Sequence, residues 1–503
     1  MAIVKENLFV NYTEAAVFSS LKEVETIPQL LELIKPYGEK TALVDGKEYT
    51  FNDLDKRIGQ IRFALKETGV KQGDAVGVLF PNSFEFAAAA LAVMSYGAIA
   101  VLFPYQLDDK TIFGCSMKYA LSAVLYGGGS SDKVAFTAEK NPAVKLVCTD
   151  NLADGRENAV EADPKSGAAV VFTAGTTGQS KGALLSHKAL TAGMRNGCYG
   201  YGKALDQRYF LLLPLTHIFG LVRNLLTSLY TGSSLYICRN LKDMFREMAV
   251  YKPTVLVMVP ALAEMALNMT KMMGPQILGG ELKTIIAGAA VVSPYLAQEY
   301  DKLGVTLLAG YGLTETANLV SGNPETLNFP ESVGLLYPGQ EYKIVEDELW
   351  IKGDNVLTEY YRDPEATAAA FEDGFFKTGD LVRFDESGRL YITGRCKDII
   401  VLATGENISP AQLETKFCEL ECIQDALVYL EKNGSKETLV LEALPRMTVL
   451  KQEGVEDVNA YCTAKLKEVN NTLYDYQKVN KIVIRTEDFP RTPSMKIIRP
   501  KTV

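Results

Sequence analysis

The chain has 503 residues, enough for more than one domain, and its 47% hydrophobic and 22% charged content is that of a globular protein with a sizeable core. A net charge of −9 argues against nucleic acid or an anionic membrane as partner. Eight scattered cysteines with no CxxC pair, and two histidines in all, argue against a zinc site and fit reduced thiols in a cytoplasmic protein.

The opening stretch MAIVKENLFVNYTEAAVFSS lacks a basic segment followed by an apolar block, so no signal peptide is read there. TIPQLLELIK and DLDKRIGQIRFALKETG carry helical periodicity. Next comes FAAAALAVMSYGAIAVLF, Phe86 to Phe103, long and apolar enough to be weighed as a membrane span. It is rich in alanine, and Gly97 and Pro104 divide it. A helix to Tyr96, a turn at Gly97 and a buried strand to Phe103 account for it, so no transmembrane segment is expected. Further short apolar runs (AVGVLF, AAVVF, TVLVMV, TIIA, VTLLA) alternate with helical stretches, the pattern of parallel sheets covered on both faces.

The stretch VVFTAGTTGQSKGALLSH, Val170 to His187, joins such a strand to a helix beginning near Ser186, a fitting N-cap. Between them Thr173, Gly175, Thr176, Thr177, Gly178, Ser180, Lys181 and Gly182 offer backbone N–H groups, hydroxyls and one ammonium, the donors that hold phosphate. It is not a GxxxxGK[ST] loop, because Ser180 precedes Lys181. AGYGLTET, Ala309 to Thr316, follows the apolar run VTLL, at the carboxyl end of a strand, where open α/β sheets bind ligands. Tyr311 offers a ring for stacking, Thr314 a hydroxyl or helix cap, and Glu315 a hard oxygen suited to Mg²⁺ on phosphates.

Past Glu341 the strand-like pieces YKIV, ELWIKG, LVRFD and RLYITG crowd together as an antiparallel, β-rich module. Within it, FKTGDLVRFD sets Asp380 in a tight turn, able to accept from both hydroxyls of a ribose. TGRCKDIIVLATGENISPAQLE brings Arg395, Lys397 and Asp398 ahead of an apolar strand. FPRTPSMKIIRP carries Lys496 on a proline-flanked tail. The composition change near Gly394 divides the chain into 1–394 and 395–503.

These motifs, together with PLTHIFG, IIAGAA, SVGLLYPG and GRCKDII and in this order, resemble the adenylate-forming superfamily of acyl- and aryl-CoA synthetases, luciferases and peptide-synthetase adenylation domains. The resemblance covers nearly the whole chain. It implies a large N-terminal lobe of doubly wound, mostly parallel sheets plus a β-rich module, and a small mobile α+β C-terminal domain. It implies two reactions. A carboxylate attacks the α-phosphorus of ATP to give acyl-AMP and pyrophosphate; then the thiol of coenzyme A takes the acyl group. By the family's pattern Lys496, Thr314, Glu315 and Lys181 serve catalysis, with Mg²⁺ on Glu315. Asp380 and Arg395 hold the ribose, while Gly288, Ala289, Ala290, Tyr311 and Gly312 frame the adenine. Lys397 is the hinge on which the small domain turns, Gly405 borders the coenzyme A tunnel, and His217 with Gly312 borders the acyl pocket. Departures are Ala174 for the usual serine, Ser180 for proline and Met495 for glycine.

PLTHIFG lacks the aspartate that binds the amino group of amino-acid substrates. Gly312 stands where acetate-specific relatives carry tryptophan, which predicts an open tunnel, and PALAEMALNMTKMM is rich in adaptable methionine. A medium- or long-chain fatty acid is therefore placed ahead of an aryl acid. No carrier domain follows Lys496, so the thiol is expected from free coenzyme A, with a separate acyl-carrier protein as the alternative. A nucleotide-binding protein without catalysis would have shed Lys496, Glu315 or Asp380, and all three are present.

Overall fold

The computed structural model describes residues 2–4, 6–173, 180–402, 406–433, 436–492 and 497–500. Among the described residues, two large sheets carry parallel strands at their centres. One runs in the order Glu359–Tyr360, Gly182–Ser186, Gly167–Phe172, Ile99–Leu102, Ala75–Leu79, Leu121–Tyr126, Lys145–Cys148. Its wholly apolar inner strands are buried end to end, which is why they read as continuous hydrophobic runs. The other has six parallel strands, Thr306–Tyr311, Thr284–Ala287, Val255–Met258, Arg208–Leu211, Ser234–Ile237 and Thr41–Val44, with antiparallel strands at both edges.

The segment weighed as a membrane span folds as its glycine and proline predict. Helix Phe84–Ser95, capped by Ser83, ends at Tyr96, Gly97 turns with φ +83°, and Ile99–Leu102 forms the strand. Nearly every side chain of that helix is buried between the sheet and the helices Ile27–Ile34 and Phe51–Thr68. No described helix is long and apolar enough to cross a membrane.

One strand escapes the sequence reading. Gly182–Ser186 pairs antiparallel with Gly167–Phe172, Phe172 facing Gly182, so the glycine-rich loop closes a hairpin and does not lead straight into a helix. The helix His187–Asn196 starts only after that strand, on the expected Ser186 cap.

An antiparallel sheet built from Ala2–Ile3, Glu341–Val345, Glu348–Lys352, Phe371–Glu372, Phe375–Phe384 and Leu390–Arg395 forms the β-rich module over its own apolar cluster. Asp380 lies inside the strand Phe375–Phe384, not in a turn. Gly379 takes φ +70° just before it, where the pairing with Glu348–Lys352 slips register. The C-terminal region has a separate core of Phe417, Ile423, Leu441, Leu450 and Leu466, built by a three-stranded sheet with helices Pro410–Cys418 and Val458–Asn471. It docks on the helix Pro260–Met273 through Arg446, wholly buried, whose Nε donates to Glu264 Oε1 at 2.7 Å while the guanidinium lies 4.1 Å from the Tyr295 ring centre.

Candidate active site

The hairpin that holds the glycine-rich loop is closed at its neck. Thr173 N–H donates to the Lys181 carbonyl at 2.8 Å, and Ser180 Oγ donates to the Thr173 carbonyl at 2.7 Å. Gly175, Thr176, Thr177 and Gly178 lie outside the described residues, as do Gly405 and Lys496.

The edge strand Gly182–Ser186 brings this neck to residues from far along the chain. Glu359–Tyr360 pairs with it, Tyr360 opposite Ala183. Lys181 Nζ sits 4.6 Å from the centre of the Tyr360 ring. The Tyr360 hydroxyl donates to Glu315 Oε1 at 2.8 Å, and Leu357 N–H bonds the Glu315 carbonyl at 2.7 Å. Burial, then the Glu315 carboxylate, push the Tyr360 phenol far above the ordinary tyrosine range, so it stays a donor. Lysine, aromatic face and carboxylate thus form one line beside the loop (a cation and an anion held apart by a ring). Tyr360 carried no motif in the sequence; the paired tyrosines of TEYYRDPEAT were its one signal.

Thr314 and Glu315 sit in a single 3-10 turn, Thr314–Thr316, whose N-cap is Leu313 rather than Thr314. The turn follows the strand Thr306–Tyr311 at its carboxyl end. In the neighbouring parallel strand, Gly288, Ala289 and Ala290 follow Thr284–Ala287 at the same end, with Ala289 in the left-handed region at φ +69°. A non-glycine residue held there stores backbone strain of about 1–2 kcal/mol, a frequent mark of functional turns. A Cβ at Gly288 would stand 3.3 Å from Cζ of Phe219, so that ring borders the same spot. The space at Gly312 is not open: a Cβ there would fall 1.6 Å from the Asn318 carbonyl oxygen. Glycine at 312 lets two backbones meet, which removes it as a reason for a roomy tunnel.

Asp380, 1% exposed, is the hub of a second group. Tyr311 Oη donates to its Oδ2 at 2.6 Å, and Arg395 Nε approaches its Oδ1 at 2.7 Å across the paired strands. Burial and the Asp380 carboxylate hold the Tyr311 phenol protonated. Lys397 follows two residues on. Partial burial and then Arg395 pull its ammonium below the ordinary lysine range, against the opposing fields of Asp398, Asp380 and Glu315. His217, half-buried, accepts at Nδ1 from Phe219 N–H at 3.3 Å.

The donor set suits a magnesium nucleotide. Glu315 Oε1 is engaged by Tyr360 and Oε2 is left for a hard cation. No cluster of three or more metal-ligating side chains exists among the described residues.

Comparison with known proteins follows this geometry. A model of the AMP-binding enzyme family matches residues 32–361, and one of the AMP-binding enzyme C-terminal domain matches 397–503. The long-chain-fatty-acid–CoA ligase of Salmonella typhimurium is 33% identical over 347 residues, 65% of this chain and 60% of that protein. The oxalate–CoA ligase of Arabidopsis thaliana is 28% identical over 94% of this chain and 97% of its own. Among solved structures, the anthranilate CoA ligase AuaEII in complex with anthranoyl-AMP shares the fold with TM-score 0.81 and 20% identity, over 95% of this chain and 96% of that one. The aligned part thus spans about 60% of the fatty-acid ligase and nearly all of the other two. With its large-lobe motifs gathered at the carboxyl ends of parallel strands and its C-terminal domain matched separately, the chain belongs to the AMP-binding enzyme family.

Proposed function

We propose that the protein activates a carboxylic acid with ATP and passes the acyl group to the thiol of coenzyme A. The observation that carries this reading is the line Lys181–Tyr360–Glu315 set beside the Asp380–Arg395 pair. One would offer a cation and an acid to a triphosphate; the other would offer hydrogen-bond partners to a sugar.

In the first step an acid oxygen bonds to the α-phosphorus and the bond to the β-phosphate oxygen breaks, releasing pyrophosphate. Two anions must meet, so positioning and charge neutralisation govern the rate. Thr173, Ser180 and the loop between them cradle the phosphates, and Lys181 adds charge. Mg²⁺, when bound at Glu315, neutralises phosphate oxygens. Lys496, from the small domain, bridges acid and α-phosphate, and Thr314 donates to the forming adenylate. Asp380 and Arg395 hold the ribose, and Gly288, Ala289, Ala290 and Tyr311 frame the base. In the second step the thiol sulfur bonds to the acyl carbon, AMP leaves, and the thiol proton goes to solvent. The large lobe comprises 1–394 and the turning domain 395–503, with Lys397 at the hinge and Gly405 on the thiol path.

His217 borders the acyl pocket. An aliphatic acid is placed ahead of an aryl one, free coenzyme A ahead of a carrier protein, and the cytoplasm as the compartment. Pyrophosphate release from ATP with a panel of acids, with and without coenzyme A, tests the reading. Release that needs an acid, and acyl-CoA formed only with the thiol present, is the expected result. Absence of acid-dependent release across the panel would overturn it.

A further inference from the structure

Four of the seven buried side-chain polar atoms that lack a hydrogen-bond partner among the described residues belong to three residues: Arg223 Nη1, Asn224 Nδ2 and Oδ1, and Asn318 Nδ2. Native interiors leave few such atoms, and each calls for an explanation. Arg223 and Asn224 lie on Phe219–Leu226, an eight-residue π-helix. Such helices rarely exceed one turn and occur where function demands them. Because the hydrogen bonds run from i to i+5, Phe219 lies over Arg223 and Asn224 on one face. Phe219 itself borders Gly288 and the Gly310 carbonyl, beside the strand that ends in Tyr311. The two polar residues therefore follow the Phe219 ring by one helical turn. Asn318, at φ +81°, is held against Gly312, and both Ala317 and Val222 crowd the same glycine, Gly193. So the segment after Glu315 and the π-helix converge on one place.

Arg223 is 3% exposed and no carboxylate reaches ion-pair distance of it among the described residues. Its neighbours are the phenols of Tyr201, Tyr209 and Tyr337, held neutral by burial, with the Tyr201 ring centre 5.1 Å from the guanidinium carbon and a hydrogen bond to the Tyr201 side chain. Nη1 lies close to Gly197, past the end of helix His187–Asn196. A ring face and a helix C-terminus ease a cation, but neither supplies an anion. Arginine stays protonated in proteins, and a buried charge without its counter-ion is costly. A carboxylate brought to the guanidinium would give it its fork-shaped partner, and the Asn224 and Asn318 amides also lack a partner.

We infer that Arg223, with Asn224 and Asn318, recognises a second carboxylate at the far end of the acid, so that the substrate is a dicarboxylic acid or an acyl chain ending in an acidic group. This rests on the acid-activating reading above. The test is acid-dependent pyrophosphate release for straight-chain dicarboxylic acids of rising length against the monocarboxylic acids of equal length, on the wild-type protein and on Arg223→Met and Arg223→Lys. At its best length the wild type should favour the dicarboxylate in kcat/KM by about 10- to 100-fold, the worth of a charge-assisted contact. Arg223→Met should lose that preference through the KM for the acid, with the KM for ATP unchanged, and Arg223→Lys should restore part of it. A wild type that turns over monocarboxylates as well or better at every length overturns the inference and leaves the acid-activating reading standing. An unchanged preference in Arg223→Met also overturns it. No release with any acid, mono- or dicarboxylic, overturns both. The wild-type ratio decides the matter even where a variant fails to fold.

Discussion

Replacing Glu264 by leucine strands Arg446. The guanidinium is 0% and the carboxylate 6% exposed, joined at 2.7 Å and 3.4 Å, with the Tyr295 ring beneath. Breaking so buried a pair from one side costs about 3–5 kcal/mol, because the remaining charge keeps its desolvation and loses its partner. Glu264 sits on helix Pro260–Met273 of the large lobe, and Arg446 caps the helix Met447–Gln452 of the C-terminal region. The cost therefore falls on the docking of two bodies with separate cores, and undocking releases it. The docked population should drop by about 100- to 4,000-fold relative to undocked. Thr448 Oγ1 donates to Asn268 Oδ1 at 3.1 Å, a second polar tie between the same two helices. Hydrogen exchange reads the change: amides of 260–273 and 447–452 should lose protection, while those of Val76, Val78 and Val170 keep it. Small-angle scattering should show a larger radius. The double variant Glu264→Leu with Arg446→Met should recover much of the docking, since a buried pair is replaceable by apolar side chains. Unchanged protection and radius in Glu264→Leu would refute the reasoning.

Other expectations concern the site and its pH range. Tyr360→Phe removes the donor to Glu315 and should raise the Mg²⁺ concentration needed for half-maximal pyrophosphate release, with a loss of about 10- to 100-fold at limiting Mg²⁺. Lys496→Ala should lose about 10²–10³ in adenylation yet still transfer acyl from supplied acyl-adenylate to thiol. Lys397→Pro should spare adenylation and impair thiol transfer, because it fixes the backbone at the proposed hinge; single-turnover assays of each half-reaction check both. His187, buried and accepting from Ile27 N–H, has its pKa lowered by burial to about 4. The unfolded chain binds its proton near pH 6.5, so stability is full above that value and falls by about 3 kcal/mol as pH drops toward 4. Denaturant midpoints between pH 7 and 4 should track this loss, and His187→Gln should flatten it.

What the sequence revealed and hid follows from how far apart the partners lie. The run from Phe86 to Phe103 was legible because Gly97 and Pro104 punctuate it locally. The chemistry of the Thr173–Lys181 loop was legible from its donors, but not its hairpin, since Gly182–Ser186 is short and leads directly into a helix. Tyr360 was invisible because its meaning comes from Glu315, 45 positions away, and from Lys181 on a separate strand. Arg446 and Glu264 are 182 positions apart and look like surface charges until two cores close over them. Gly312 was misjudged for a related reason: a missing side chain reads as space, whereas here a backbone carbonyl fills it. Arg223 did leave a trace, a lone cation next to one amide in the otherwise apolar IFGLVRNLL.

Asp380 grips Tyr311 on one oxygen and Arg395 on the other before any sugar arrives. An incoming diol must share or displace those bonds, and Arg395 stands two residues ahead of Lys397. With Lys397 as the proposed hinge, a load on that carboxylate would be felt at the connector between the lobes, like a hand on a latch. Occupancy of the pocket and the proposed swing of the second body would then be a single mechanical event, with no messenger needed between them.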